Sequence, residues 1–162
     1  MTESTRRLIT SRSEFHEALR QSFTDIAALG CRELLLSDAD FTDWPLSDAI
    51  VLNSLTQWAA AHRKLTLLAS QFDDLARRHG RWVEWRRRWA HVVECRANTE
   101  VEADKVPTML LAPGLLMVRM VDRLRYRGSM STAASDLVLG REQLDALLQR
   151  SEETFPATTL GL

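Results

Sequence analysis

Two segments of this sequence carry residues whose types and spacing could do chemistry. In the first, an apolar run that starts at Leu115 reaches a single carboxylate, Asp122, and a short linker leads to Gly128-Ser129-Met130-Ser131. In the second, another apolar run ends in Asp38-Ala39-Asp40. A carboxylate placed at the end of a buried strand can orient a base, act as a nucleophile or hold a metal ion beside a phosphate. Both segments therefore predict a site that handles phosphate esters or has descended from one.

The first segment resembles the signature of the phospholipase D superfamily, which is His-x-Lys-x4-Asp followed by Gly-Ser-x-Asn. On that alignment the family's His and Lys fall on Leu115 and Met117, while Asp122 matches the family's Asp. The resemblance implies a single phospholipase D-like half-domain that lacks both the nucleophile and the cation that holds phosphate. We therefore expect no phosphodiesterase activity, and a motif remnant formed by these residues: Asp122, Gly128, Ser129 and Ser131.

A second copy of the His-x-Lys spacing occurs at His62 and Lys64, ahead of another apolar run. Ala69 stands where the family requires Asp, and no Gly-Ser pair follows. This segment therefore does not restore the motif.

The Asp38 segment resembles the first motif of haloacid-dehalogenase-like phosphatases, Asp-x-Asp-x-Thr, with Thr42 in the last position. That resemblance implies a Mg²⁺-dependent phosphatase with Asp38 as the nucleophile and Asp40 as the general acid/base. Phe41 replaces the family's usual Gly, and no acidic pair follows a later strand. The phosphatase is therefore the alternative function, set against an acidic loop whose side chains cap a helix.

A helix rich in tryptophan and arginine offers a different kind of site. Trp82, Trp85 and Trp89 recur at a spacing that places them on one helix face, with Arg88 among the neighbouring arginines. Such a face can pack on a sheet, form a protein interface or stack on the bases of a nucleic acid. We predict that a partner is bound through these residues: Trp82, Trp85, Arg88 and Trp89.

The order of the segments predicts the fold. A capping box at Ser11–Glu14 begins a helix that Gly30 ends, and short apolar runs then alternate with amphipathic helices. A strand pair with a turn at Pro113-Gly114 and a helix from Gly140 follow. This alternation predicts an α/β fold, a single-domain sandwich over residues 1–162 with a mixed, mostly parallel central sheet flanked by helices.

Composition narrows the function classes further. The 162 residues include 45% hydrophobic and 27% charged residues, with a formal net charge of −1. The near-neutral charge makes nucleic acid an unlikely partner, and we expect no membrane span, no metal and no cofactor. A cytoplasmic location is expected, and the apolar C-terminal segment 154–162 is predicted to dock on its own domain or on a second copy. A protein partner or self-association as a homodimer is thus the expected mode of interaction.

Overall fold

The computed structural model describes residues 5–156, which form one sheet of eight strands with helices on both faces. The strands are β1 (Arg6–Ile9), β2 (Glu33–Ser37), β3 (Lys64–Ala69), β4 (Val93–Ala97), β5 (Thr108–Ala112), β6 (Leu116–Asp122), β7 (Arg127–Ser131) and β8 (Glu152–Glu153). The helices are α1 (Arg12–Leu29), α2 (Ala49–Ala59), α3 (Asp73–Arg78), α4 (Gly80–Arg88) and α5 (Ala134–Leu148). The strands lie in the order β1-β7-β6-β5-β2-β3-β4-β8.

This architecture confirms the predicted α/β sandwich with a mixed sheet. Only the pairs β2–β3 and β3–β4 are parallel, and the other neighbouring pairs of the described sheet are antiparallel. The expectation of mostly parallel pairing was therefore wrong. It failed because β7 was interpreted as a turn, and because the short edge strands β1 and β8 lack the apolar run that marks a buried strand.

The helix boundaries follow from local capping. The Ser11 hydroxyl accepts a hydrogen bond from the Glu14 backbone at 3.1 Å, and the Glu14 carboxylate accepts one from the Thr10 backbone at 2.8 Å. The reciprocal bond thus reaches one residue further back than in the usual capping box. Gly30 ends α1 with a φ of 72°, a conformation that glycine adopts without steric cost. These caps fix α1 on the face of the sheet where Phe15 meets the site described below.

Both faces of the central strands are buried. A large core lies under α1, α2 and α4, and a smaller apolar cluster lies between the sheet and α5. The smaller cluster includes Met117, which packs closely against Gly140 of α5. A Cβ on Gly140 would lie 2.6 Å from the Met117 sulfur. Helix α5 begins at Ala134, well before the predicted start at Gly140, so this glycine serves close packing and not a helix start.

The chain beyond β8 returns to its own domain as far as it is described. The ring of Phe155 stacks on that of Phe72 with 5.8 Å between centroids, and the Arg86 guanidinium carbon lies 4.7 Å from the Phe155 centroid. Residues 157–162 of the apolar C-terminal segment lie outside the described part of the chain. Docking of that remaining segment, on this domain or on a second copy, stays a prediction.

Candidate functional site

A cavity of about 250 Å³ lies at the carboxyl end of β2. Strand β2 is parallel to β3 on one side and antiparallel to β5 on the other. The direction of neighbouring strands therefore changes at β2. In open α/β sheets, such a change of direction opens a crevice that commonly binds ligands. The polar residues that line the cavity are Asp38, Asp40, Thr42, Asp43, Thr108, Arg123 and Tyr126.

Asp38 forms the buried floor of this cavity, and only 4% of its surface is exposed. One carboxylate oxygen accepts a hydrogen bond from the backbone of Phe41 at 2.8 Å. The other accepts from the Thr108 hydroxyl at 2.5 Å and from the Arg123 guanidinium at 3.2 Å. Asp38 therefore joins the end of β2 to the start of β5 and to the turn after β6, which is a cross-linking role.

Asp43 lies at the mouth of the same cavity and is also held by several donors. It accepts hydrogen bonds from the Tyr126 hydroxyl at 2.5 Å and from Arg12 at 2.8 Å, and His16 contacts its backbone carbonyl at 2.6 Å. Burial pushes the pKa of Asp43 upward, but the hydrogen bonds from Tyr126 and Arg12 outweigh it, so this pKa lies below its ordinary value. The same hydrogen bond raises the pKa of the Tyr126 phenol.

Asp40 is the carboxylate of the cavity that is bound least. One of its oxygens accepts from the backbone and the hydroxyl of Thr42, both at 3.0 Å.

No cluster of three or more potential metal ligands occurs among residues 5–156. The Mg²⁺-dependent phosphatase has no support, since the proposed nucleophile, Asp38, already accepts from three donors.

The phospholipase D-like segment does not converge on one site. Asp122 lies at the far end of β6 from Leu115 and Met117, and seven strand residues span roughly 20 Å. The Asp122 carboxylate accepts from the backbones of Leu124 and Arg125 at 3.1 and 3.2 Å, so it caps the turn between β6 and β7. The Met117 side chain lies in the apolar cluster under α5.

The Gly-Ser-x-Ser part of that segment forms β7 and has local roles. A Cβ on Gly128 would lie 2.2 Å from the backbone oxygen of Arg119, so the close approach of β6 and β7 requires glycine. The Ser131 hydroxyl donates to Asp136 at 2.6 Å and accepts from the backbone before α5, while Ser129 is buried within the sheet. These contacts account for the residues, and their descent from a catalytic motif stays a prediction.

The tryptophan face of α4 is mostly interior. Trp82 and Trp85 are 0% and 1% exposed, and the Trp85 indole donates to the Thr56 hydroxyl at 2.9 Å. Neither indole can contact a partner in this conformation, because both pack in the core. Trp89 is partly exposed and Arg88 is exposed, so a partner surface on this helix stays a prediction for these two residues alone.

Trp89 opens onto a second cleft, which we call the amino-edge cleft, of about 540 Å³ where β2, β3 and β4 begin. Its lining is basic and aromatic, and no acidic residue belongs to it. The lining residues with charged or aromatic side chains are Arg32, His62, Arg63, Lys64, Trp89 and His91.

The cations of the amino-edge cleft differ in how far they are already bound. Arg63 donates to the backbone oxygens of Trp58 at 3.1 Å and Cys31 at 2.9 Å. Lys64 lies 3.8 Å from the Glu94 carboxylate, a long contact for an ion pair whose lysine is 61% exposed. Arg32 is exposed, and its side chain has no hydrogen bond or ion pair with another described residue.

The sequence contains a signal for this cleft in the residues that precede the parallel strands. Parallel neighbouring strands begin at the same edge of a sheet, so the residues just before them meet in space. The starts of β2, β3 and β4 are Arg32-Glu33, Arg63-Lys64 and His91 to Val93. The cavity residues Thr108, Arg123 and Tyr126 could not be found in this way, because the β6–β7 turn brings two of them back over β2.

Comparison with known proteins identifies the fold. No protein-family model matches this chain, and no curated protein resembles it in sequence. Nuc, a phospholipase D family member from Salmonella typhimurium, matches with a TM-score of 0.62 at 4% identity, covering 94% of this chain and 99% of that one. NucT from Helicobacter pylori matches with a TM-score of 0.59 at 7% identity, covering 94% of this chain and 100% of that one. The chain therefore has a phospholipase D-like fold, and at these identities only the fold is shown.

A third structure with this fold changes one expectation. TrmBL2, an archaeal chromatin protein described as showing a novel mode of DNA binding, matches with a TM-score of 0.65 at 13% identity. The match covers 92% of this chain and 54% of TrmBL2, so the chain spans about half the length of that protein. The prediction that nucleic acid is an unlikely partner was wrong, because it rested on net charge alone and a protein that contains this fold over about half of its length binds DNA. Among the described helices, none is long and apolar enough to cross a membrane.

Proposed function

We propose that this chain is a non-catalytic binding module on a phospholipase D-like fold, and that it holds the backbone of a nucleic acid in the amino-edge cleft. The observation that carries the proposal is the cleft itself, where basic residues lie at or just before the starts of three parallel strands around one opening. The DNA binding of TrmBL2, which contains the same fold over about half of its length, supports the choice of ligand class.

The charge distribution around the cleft suits a phosphodiester. Arg32 and Lys64 are exposed; Arg32 has no ion pair with another described residue, and Lys64 has only the 3.8 Å contact with Glu94, so a bound phosphate would have little to displace. Two acids at the starts of these strands are also paired with other cations, Glu33 with Arg141 at 2.5 Å and Glu94 with Arg96 at 2.8 Å. Contacts between phosphates and Lys or Arg dominate the affinity of nucleic-acid binding and make it depend on salt.

The absence of catalysis is proposed from the side chains at the motif positions. Leu115 and Met117 stand where phospholipase D-like enzymes have a nucleophile and a phosphate-binding cation. An aliphatic side chain and a thioether can neither attack phosphorus nor neutralise its oxygens. Met117 also packs under α5 with other apolar residues, so a charged side chain there would disrupt the smaller cluster.

The first test measures binding directly. A fluorescently labelled oligonucleotide of about 20 nucleotides is titrated by anisotropy between about 50 and 300 mM salt. We expect the affinity to fall steeply with salt, and the doubly substituted variant Arg32→Ala/Lys64→Ala to weaken binding and reduce the salt slope by about 2. Arg78→Ala, which removes an exposed arginine from α3, is the matched control and should bind like the parent protein.

Two outcomes would contradict the binding proposal. One is no measurable binding at the lowest salt, and the other is binding that the Arg78→Ala control weakens as much as the cleft variant does.

The second test follows the integrity of the oligonucleotide. With the protein in excess, we expect no cleavage over several hours in the presence of either Mg²⁺ or EDTA. If the parent protein cleaves the oligonucleotide and still does so after repeated purification, the non-catalytic part of the proposal is overturned.

A further inference from the structure

We infer that the amino-edge cleft takes single-stranded nucleic acid in preference to duplex, with the Trp89 ring stacking on an unpaired base. This inference rests on the proposed function and adds the strandedness of the ligand. Its starting point is that Trp89 is the indole among the cleft-lining residues, whereas Trp82 and Trp85 are enclosed in the core.

The Trp89 ring is held in place from within the protein. Its centroid lies 6.2 Å from that of Trp85, with 29° between the ring planes, and 6.0 Å from that of His91 at 32°. Trp85 is itself fixed by its hydrogen bond to Thr56. The rings of Trp85, Trp89 and His91 therefore lie one after another from the core to the cleft. Trp89 is partly exposed there, and His91 is exposed.

The backbone at this point is equally fixed. The carbonyl of Trp89 accepts from the backbones of Val92 at 2.9 Å and Val93 at 3.2 Å, which ties the end of α4 to the start of β4. Its own N–H contacts the carbonyls of Trp85 and Arg86. An aromatic side chain on such a fixed backbone loses little conformational entropy when a base stacks on it.

The size of the cleft favours an unpaired strand. A volume of about 540 Å³ is that of a small-ligand pocket, which suits one or two nucleotides of a single strand. In a duplex the base faces are stacked inside, so they are not available to the Trp89 ring that lines the cleft. Single strands offer both a base face for Trp89 and flanking phosphates for the exposed cations Arg32 and Lys64.

The test compares probes of equal charge per strand. Labelled oligothymidine of about 12 nucleotides, a duplex of the same length and an abasic strand of the same length are titrated against the full chain. We expect the oligothymidine to bind about tenfold more tightly than the abasic strand, which lies within the range of one base–aromatic stack. The duplex, whose base faces are stacked inside, should bind less tightly than the oligothymidine although it carries twice the phosphate charge.

Variants at one position isolate the ring. Trp89→Leu keeps an apolar side chain but removes the stacking surface, and Trp89→Phe keeps a smaller aromatic ring. We expect Trp89→Leu to bind oligothymidine about tenfold less tightly while its affinity for the abasic strand and the duplex is unchanged, and Trp89→Phe to recover part of the loss. Circular dichroism and thermal unfolding of each variant establish that it is folded.

The failures of the two proposals are distinguishable. Equal affinity for single strand and duplex, or full affinity for oligothymidine in a folded Trp89→Leu variant, overturns the strand preference while leaving salt-dependent binding in place. Loss of all salt-dependent binding, to every probe, overturns the proposed function and this inference with it.

Discussion

The two edges of the central sheet carry charge of opposite sign and use it differently. At the carboxyl edge, Asp38 and Asp43 are bound by arginine, tyrosine, threonine and backbone donors. At the amino edge, Arg32 and Lys64 are exposed; Arg32 has no ion pair with another described residue, and Lys64 has only the 3.8 Å contact with Glu94. The carboxylates therefore stabilise the fold, while the cations remain available for a ligand. A net charge of −1, which is summed over the whole chain, therefore says little about either edge.

The polarity of the helices accounts for part of this separation of charge. In a parallel β-α-β unit, the carboxyl end of a strand leads into a helix N-terminus, which favours acidic residues, and the next strand follows a helix C-terminus, which favours basic ones. Asp48 accordingly caps α2, accepting from the Ile50 backbone at 2.8 Å, and Asp73 and Asp74 lie in the first turn of α3. The last turn of α4 carries arginines that end in Arg88, whereas the last turns of α1 and α2 carry no basic residue, so the cations before β2 and β3 lie in the connecting segments.

The largest expected effect is the loss of stability when Asp38 is removed. Asp38→Ala leaves the Phe41 amide and the Thr108 hydroxyl without their acceptor in a buried place. Each such donor costs about 1–3 kcal/mol, so the free energy of unfolding should fall by at least about 2 kcal/mol. Urea unfolding measures this, with the exposed Asp104→Ala as the control.

Asp38→Ala also tests the separation of the two edges. Under conditions where the variant is folded, its affinity for the oligonucleotide should equal that of the parent protein. A stable variant that no longer binds would reverse the roles we assign to the edges.

A smaller effect is expected at Asp43. Tyr126→Phe removes a hydrogen bond to a carboxylate whose pKa is lowered in the folded state, and should cost about 1 kcal/mol at neutral pH. A lowered folded pKa adds stability above the unfolded pKa of about 3.9, and this contribution is lost as pH falls through the folded value. The difference between variant and parent should therefore shrink below about pH 4. Urea unfolding across this pH range measures it, and a difference that grows in acid would contradict the assignment.

A still smaller effect on stability is expected at the amino edge. Arg32→Ala/Lys64→Ala removes two exposed cations, so the free energy of unfolding should stay within about 0.5 kcal/mol of the parent value. The same double variant should lose most of the salt-dependent affinity. It is thus expected to lose binding and keep stability, whereas Asp38→Ala is expected to lose stability and keep binding. A marked loss of stability would show that these cations help to hold the sheet edge together.

The sequence predicted the fold class because local patterns agreed with it. The capping at Ser11, the glycine at Gly30 and the apolar runs of β2 and β3 all lie where the structure has them. The site was predicted less well, because it depends on which strands are neighbours. Spacing along the chain linked Leu115 to Asp122, although they lie at opposite ends of β6, and did not link Arg32 to His91, which line one cleft.

The net charge of the chain was also a poor predictor of its partner class, because positive and negative side chains lie at separate edges of the sheet. A last pair of variants tests this separation. Five-residue β2 separates its two ends by roughly 17 Å, which exceeds the Debye length of about 8 Å at physiological salt. Asp40→Asn at the carboxyl edge should therefore change oligonucleotide affinity by less than about twofold at that salt. Glu94→Gln, which neutralises an acid 3.8 Å from Lys64, should raise the affinity more. Parallel anisotropy titrations of the two variants measure the difference, and an equal gain in both would mean that the carboxyl edge shares in binding.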